Sequence, residues 1–241
     1  MNARSAAGIA SHRSRLTTVA TLIMLACAAG AAAADGRDAG AHGSAPDSTA
    51  APRWLTLGVL TGATRFDPHL ADYQWNANPR VAWGAQALAG IGRYGAGLRV
   101  WRSQTTQHIA MADDENPAVR ATSLELVGRG RLLTGWGNEF EASVATGWLH
   151  LGYAPDHVTI ASSGGGPAID VALKPVDEWV AGGGFAVRRP VTEAWTAALE
   201  LDSRVFGMKT AHRSGSTIVV GRERFSDWSA RLELARVFGR R

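Results

Sequence analysis

Two stretches in the second half of the chain decide the fold class: AWTAALELDSRVFG (194–207) and FSDWSARLELARVF (225–238). Apolar and charged residues alternate in both. The first sets Trp195, Ala197, Leu199 and Leu201 against Glu200, Asp202 and Arg204; the second sets Trp228, Ala230, Leu232 and Leu234 against Arg231 and Glu233. A period of two predicts β-strands with one apolar and one polar face.

The same alternation recurs along the chain from residue 54. It predicts eight strands, over residues 54–62, 81–90, 95–104, 122–133, 138–152, 178–187, 194–207 and 225–238. No stretch of this region has the uninterrupted apolar length of a membrane helix. The predicted fold class is therefore all-β, an eight-stranded antiparallel up-and-down transmembrane β-barrel.

The connections between these strands alternate in length. Three are short (91–94, 134–137 and 188–193) and four are long (64–80, 105–121, 153–177 and 208–224). An up-and-down barrel with this pattern has all its short turns at one end and all its long loops at the other; we name these ends the short-turn rim and the long-loop rim. Segments 158–160 and 169–173 are candidates for an extra strand pair, and 218–220 for a hairpin extension.

Alternation alone does not say which face lies inside. Three features favour an arrangement in which the apolar face points outward to lipid. They are the loop asymmetry, an export leader, and aromatic residues near strand ends, as in interfacial belts. These aromatic residues are Trp54, Trp136, Trp148, Tyr153, Trp179, Trp195, Trp228 and Phe238. The alternative is a soluble periplasmic lipocalin-like barrel that binds an apolar ligand and packs its tryptophans in a core. Trp54 follows Pro52 and Arg53, not the Gly-x-Trp sequence expected of that class.

If the apolar faces meet lipid, the charged faces line the lumen. The predicted lumen charge network is Arg99, Glu125, Arg129, Arg131, Glu139, Glu141, Glu200, Asp202, Arg204, Arg231 and Glu233. Neighbouring strands would pair Glu200 or Asp202 with Arg231, Glu233 with Arg204, and Arg129 or Arg131 with Glu139 or Glu141. The interior of an eight-stranded barrel is only wide enough for side chains, so we expect a plug of salt bridges and not an open pore.

The first 34 residues have the composition of a secretory signal. Arg4, Arg13 and Arg15 precede an apolar run, and alanines 32–34 form a small-residue cleavage site before Asp35. The expected organisation is a signal peptide over 1–34, a flexible linker over 35–53 and an outer-membrane barrel over 54–241. Cys27 is the single cysteine and lies within the leader, where a lipid anchor is a weaker alternative.

The net charge gives no reason to expect that the protein binds nucleic acid. Removing the three arginines of the leader from the 25 basic residues leaves 22, against 21 acidic residues, so the exported chain is nearly neutral. We expect no cofactor and no metal. The expected contacts are outer-membrane lipid and, during insertion, the barrel-assembly machinery, with a monomer as the final state.

Residues 54–238 resemble the small bacterial outer-membrane barrels of the OmpA and OmpX type. The resemblance lies in the leader, the alternating loops and the terminal strand from Trp228 to Phe238. It implies a monomeric barrel inserted into the bacterial outer membrane. The chain departs from the family where residues 239–241 follow the terminal Phe238, and where Arg236 interrupts the apolar row; near the interface that side chain can extend to water.

One set of residues is a candidate for catalysis. His212, Ser214 and Glu223 in the last long loop have the residue types of a nucleophile, a base and an orienting carboxylate. Outer-membrane lipid A deacylases use a similar His-x-Ser, so a lipid hydrolase is the alternative function. The simpler interpretation is a solvated loop, and a non-enzymatic structural or surface-interaction protein is the leading hypothesis.

Other polar groups give weaker signals. Residues 113–115, Asp-Asp-Glu, could hold a hard cation such as calcium, although acidic loop tips are usually just solvated. The Gly-rich run 162–166 lacks the following helix that a phosphate cradle needs. His69, His108, His150 and His157 share no metal-ligand spacing.

Overall fold

The computed structural model describes residues 53–109, 116–160, 167–214 and 217–239. The predicted signal peptide, nearly all of the predicted linker, the acidic cluster 113–115 and the Gly-rich run 162–166 lie outside these ranges. Ten strands and one short 3-10 helix make up the described chain. They are β1 (Arg53–Phe66), η1 (Pro68–Tyr73), β2 (Arg80–Ile91), β3 (Tyr94–Thr106), β4 (Ala118–Gly135), β5 (Asn138–Ala154), β6 (His157–Ile160), β7 (Ile169–Ala172), β8 (Val176–Pro190), β9 (Trp195–Ser214) and β10 (Thr217–Gly239).

Eight of the strands form a closed antiparallel barrel in the order β1-β10-β9-β8-β5-β4-β3-β2. This confirms the predicted fold class, and every predicted strand lies within or overlaps an observed one. Strands β6 and β7 form the extra pair that the sequence suggested, but they make a separate two-stranded sheet, so the barrel keeps eight strands. Strands β9 and β10 stay paired as far as Ser214 and Thr217, which makes the last long connection mostly a hairpin extension.

The β4–β5 turn shows how local sequence sets the short-turn rim. Trp136 and Gly137 both have positive φ, at 52° and 72°. A two-residue hairpin turn with positive φ at both central positions matches the right-handed twist of the flanking strands, and glycine adopts that conformation without steric cost. The turn leaves the Trp136 side chain exposed at the rim.

The two faces of the barrel wall differ sharply in polarity. Along β9, Leu199 and Leu201 are 48% and 53% exposed, whereas Glu200 is 2% exposed. Similar exposed apolar residues occur on the other strands, among them Leu57, Val59, Trp83, Leu98, Val100, Leu124, Val144, Phe185, Leu232 and Leu234. The barrel therefore has an apolar outer wall and a charged centre, the reverse of a water-soluble barrel.

Trp54 lies inside the barrel and not in an aromatic belt, contrary to the prediction. It is 5% exposed, clusters with Leu88 and Val127, and donates from Nε1 to the Gly92 carbonyl at 3.1 Å. The room for its indole comes from Gly90 and Gly95, because a Cβ at either position would overlap the ring. Close to the short-turn rim the interior is therefore apolar.

The interior is apolar again near the long-loop rim. A core cluster there consists of Phe66, Leu70, Trp75, Trp101, Val119, Ala121, Leu149, Leu151, Val180, Phe206, Met208 and Phe225. Helix η1 contributes Leu70, which is fully buried, so the β1–β2 connection packs its apolar side onto this cluster. Tyr153, predicted for an interfacial belt, is instead partly buried against the same cluster. The lumen thus has a charged layer between two apolar ones.

Among the described residues, no helix has both the length and the hydropathy required to span a membrane.

Candidate functional site

The charged layer is one continuous network of buried ion pairs. Each side chain in it is at most 5% exposed. Its members are Arg99, Arg129, Arg188, Arg204, Arg231, Glu125, Glu141, Glu200, Asp202, Asp227 and Glu233. Five arginines thus face six carboxylates. Charges withdrawn from water must be paired to be tolerated, and every charged side chain of this layer lies within 4.0 Å of a group of opposite charge.

Glu125 on β4 is the best-satisfied carboxylate of the network. It accepts hydrogen bonds from Arg99 Nε at 2.8 Å, Arg204 Nη1 at 2.9 Å and Trp101 Nε1 at 2.7 Å. The Ser123 hydroxyl adds a fourth bond at 2.9 Å. Arg204 also stacks on the Trp101 ring, with its guanidinium carbon 3.8 Å from the ring centroid. These contacts join β3, β4 and β9 across the lumen.

A second group of charges lies closer to the short-turn rim. Arg129 pairs with Glu200, and its Nη1 lies 3.4 Å from Glu141 and 3.5 Å from Glu233. Arg188 donates to Glu233 at 2.5 Å and to Glu141 at 3.3 Å. Each carboxylate here contacts more than one guanidinium, so the members hold one another in place.

Some of the pairs expected from the sequence form in the structure. Arg231 pairs with Asp202. Arg131 and Glu139 pair at 2.6 Å, but both remain partly exposed near the short-turn rim and lie apart from the buried network. The expected pair of Glu233 with Arg204 is wrong. The register aligns Arg204 with Asp227, and Glu233 is six residues further along β10, so Arg204 binds Asp227 at 2.6 Å.

Sequence reasoning missed Arg188 and Asp227. Arg188 follows the predicted end of its strand at residue 187, yet β8 continues to Pro190 and the alternation turns Arg188 inward. Asp227 shares the inward parity of Arg231 and Glu233. Extending the period-two pattern by one residue reaches Arg188, and applying it from Arg231 back through the predicted strand 225–238 reaches Asp227.

Polar contacts attach the β1–β2 connection to the barrel at the long-loop rim. Asp67 accepts from the Ser226 backbone amide at 2.9 Å and from its hydroxyl at 3.1 Å. Tyr73 donates to Glu223 at 2.6 Å, which raises the pKa of the Tyr73 hydroxyl. Thr210 donates to the same carboxylate at 2.9 Å. Helix η1 is thereby tied to β9 and β10.

The register separates the three candidate catalytic residues. His212 is aligned with Val219 and Ser214 with Thr217, whereas Glu223 is aligned with Met208. Glu223 thus lies four residues from the position opposite His212, on the order of 13 Å along the strand, and it is bound to Tyr73 and Thr210. The side chains of His212 and Ser214 lie outside the described part of the structure.

The four histidines noted in the sequence lie at separate places. His69 contacts Asp72 at 3.0 Å and Glu223 at 3.5 Å, and His150 contacts Asp177 at 2.7 Å. His157 contacts Asp156 at 2.6 Å, and His108 lies 2.8 Å from Asn116. Within the described ranges, no group of three or more His, Cys, Asp and Glu residues is arranged to hold a metal ion.

The attachment of η1 is expected to weaken in acid. Burial by itself would raise the pKa of the Asp67 carboxyl, but the backbone amides of His69 and Ser226 and the Ser226 hydroxyl donate to it and lower its pKa overall. A depressed folded-state pKa contributes stability above the unfolded value of about 3.9, and this stability is lost as pH falls through the folded pKa. The hydrogen-exchange protection of residues 66–76, taken relative to the intrinsic exchange rate at each pH, should therefore fall below about pH 4, and Asp67→Asn should abolish that dependence. An equal pH response in both proteins would contradict this role of Asp67.

Comparison with solved structures finds outer-membrane proteins. No family model and no curated protein matches the chain. The chain is similar to OprG, an outer membrane protein of Pseudomonas aeruginosa, with 11% identity over 78% of this chain and 97% of that one, at a TM-score of 0.45. The N-terminal β-barrel domain of P. aeruginosa OprF matches with 15% identity over 76% and 97%, at 0.33. The outer membrane protease OmpT of Escherichia coli matches with 10% identity over 82% and 99%, at 0.29.

Proposed function

We propose that the chain is an outer-membrane barrel with a closed lumen and a structural or surface-interaction role. One observation carries the proposal: large apolar side chains cover the outside of the wall while five arginines and six carboxylates are buried inside it. A wall of this polarity is stable in a bilayer, where lipid covers the apolar belt and the charges pair internally. In an aqueous environment, by contrast, the apolar side chains of the outer wall would remain exposed to water.

Two successive barriers support the closed lumen. The ion-pair network fills the middle of the barrel with side chains that bind one another. Nearer the long-loop rim, Leu70, Trp75 and Phe225 belong to an apolar cluster that η1 covers. Since an eight-stranded barrel has room only for its own side chains, solute passage would require both layers to rearrange. Any interaction with other molecules would then involve the loops and the outer wall.

The two alternative functions receive less support. A soluble barrel that binds an apolar ligand needs an apolar interior and a polar exterior, and the described residues have the opposite arrangement. A lipid hydrolase built on His212, Ser214 and Glu223 needs these residues together, whereas the strand register separates Glu223 from the other two. The proposed function requires neither an apolar ligand cavity nor a catalytic set made of these three residues.

The proposal extends to the segments before the barrel. Residues 1–34 would direct export and be removed, and residues 35–53 would link the cleavage site to β1. Outer-membrane lipid would surround the apolar wall, and the assembly machinery would insert the chain as a monomer. Mass determination of the protein isolated from the outer membrane tests the cleavage directly.

Fractionation and conductance together test the proposed function. We expect the protein in the outer-membrane fraction, with a gel mobility in dodecyl sulfate that changes on boiling, because a folded barrel resists unfolding by the detergent at room temperature. In a planar bilayer the purified protein should give no stepwise conductance. Release with the periplasmic contents would contradict the location, and steady unitary steps would contradict the closed lumen.

A further inference from the structure

Four polar side chains come together on the outer wall near the long-loop rim. The register aligns Arg102 of β3 with Thr122 of β4, and Thr122 with His150 of β5. Arg120 lies two residues before Thr122 on the same face of β4. Side chains directly opposite on neighbouring strands have Cβ atoms about 5 Å apart, and diagonal neighbours remain within reach of long side chains. Arg102, Arg120, Thr122 and His150, which we name the outer polar patch, therefore form one cluster.

The outer polar patch lies at the edge of the apolar wall. Arg102 shares the outward face of β3 with Leu98 and Val100, and its neighbour on β2 is Trp83, which is 58% exposed. The next outward residue of β4 toward the short-turn rim is Leu124, aligned with Trp148. Tryptophan concentrates where a membrane wall meets the head groups. The patch is thus at head-group depth, with apolar surface directly below it.

The strand neighbours of the two arginines carry no negative charge. The residues opposite Arg102 are Trp83 and Thr122, and those opposite Arg120 are Gln104 and Gly152. Among the described strand residues, therefore, no carboxylate lies directly opposite either arginine. Two arginines placed this way attract an anion, and their planar N–H groups match the geometry of phosphate oxygens.

His150 is oriented by a carboxylate on its far side. Its Nδ1 lies 2.7 Å from Asp177, which also accepts from Trp148 Nε1 at 3.1 Å. The other ring nitrogen, Nε2, faces the Gly152 position, where no side chain occupies the wall. The Thr122 hydroxyl and His150 Nε2 thus supply further hydrogen-bonding groups next to the two guanidinium groups.

We propose that the outer polar patch binds the phosphate group of an anionic membrane lipid. Arg102 and Arg120 would contact the phosphate oxygens, Thr122 and His150 would complete the contacts, and the acyl chains would lie on Leu124 and the apolar wall below. A lipid satisfies both the charge and the adjoining apolar surface, whereas free phosphate satisfies only the charge. This inference rests on the proposed membrane location of the barrel.

Lipid binding by the full chain in detergent micelles tests the inference. Native mass spectrometry would count bound phosphatidic acid, with phosphatidylcholine as the neutral comparison. The wild type should retain phosphatidic acid preferentially, and R102Q/R120Q should bind it about tenfold more weakly, as expected for the loss of two charge-assisted contacts. The T122V/H150L variant should show a smaller decrease, about threefold, because it removes one neutral hydroxyl donor and a ring whose Nε2 can donate only when the imidazole is protonated.

The matched control is R65Q/R224Q. Arg65 of β1 and Arg224 of β10 are exposed near the same rim but on the far side of the barrel. This control should change the affinity less than twofold. An equal loss in both double variants would overturn the proposal in favour of general charge attraction. Displacement of the lipid by equimolar inorganic phosphate would overturn it in favour of a free-phosphate site.

The test also separates this inference from the proposed function. All variants should keep the heat-dependent gel mobility of a folded barrel, because the substituted residues lie outside the buried network. A wild type that inserts into vesicles but shows no preference for phosphatidic acid would overturn the lipid site and leave the membrane location intact. A wild type that fails to insert at all would overturn both.

Discussion

The Glu125→Gln variant is expected to lose about 3–5 kcal/mol of unfolding free energy, the range seen when one member of a buried ion pair is removed. Glu125 is 1% exposed and accepts hydrogen bonds from Arg99, Arg204 and Trp101. Glutamine has the same size but no charge, so the two buried guanidinium groups lose their shared partner. Reversible urea unfolding in lipid vesicles, followed by tryptophan fluorescence, measures the difference.

Glu139→Gln is the matched control for this variant. This substitution also removes the negative charge of a glutamate, but from the partly exposed pair with Arg131 near the short-turn rim. Exposed pairs contribute at most about 1 kcal/mol, so the control should lose no more than that. Equal small losses in the two variants would show that the buried network does not hold the barrel together.

The Leu201→Arg variant is expected to destabilise the barrel by about 2–4 kcal/mol, the effect of an arginine facing the middle of a bilayer. Leu201 lies outward near the middle of β9, aligned with Ala230 and Phe185. An arginine there must either remain in the hydrocarbon or distort the bilayer to reach water. The measurement is the same vesicle-based unfolding experiment.

This substitution distinguishes a lipid-facing wall from a water-facing one. On a water-exposed surface the same change is worth less than about 0.5 kcal/mol. Val220→Arg, on the exposed hairpin extension of β10, is the internal control and should be close to neutral. A neutral result for Leu201→Arg as well would contradict the membrane assignment.

The stability of this barrel depends on the charged layer being complete. Glu200, for example, lies within 4.0 Å of Arg99, Arg129 and Arg188. Because five of the six carboxylates contact more than one arginine, a conformational opening at one site exposes unpaired charge at others. A lumen built this way favours a rigid wall, consistent with function at the loops and the outer surface.

Much of the architecture could be predicted from local pattern. The alternation in AWTAALELDSRVFG placed Glu200, Asp202 and Arg204 on one face and Leu199 and Leu201 on the other, as in the structure. Period-two alternation is a property of neighbouring residues in one strand, so it needs no knowledge of the rest of the fold. The same alternation in β1 places Trp54 on the inward face, opposite Leu55 and Leu57. It could not predict the cavity for the indole, because that cavity is made by glycines on β2 and β3.

The sequence by itself determined that this chain forms strands, how many of them close the barrel, and which of their faces are charged. The tertiary structure decided which charges meet. Arg204 reaches Glu125 across 79 positions of sequence, and Arg188 reaches Glu233 across 45. It also decided that η1 covers an apolar mouth and that Arg102, Arg120, Thr122 and His150 lie together. The physical reason is that contacts between strands depend on register and on closure of the barrel, which join residues distant in the chain.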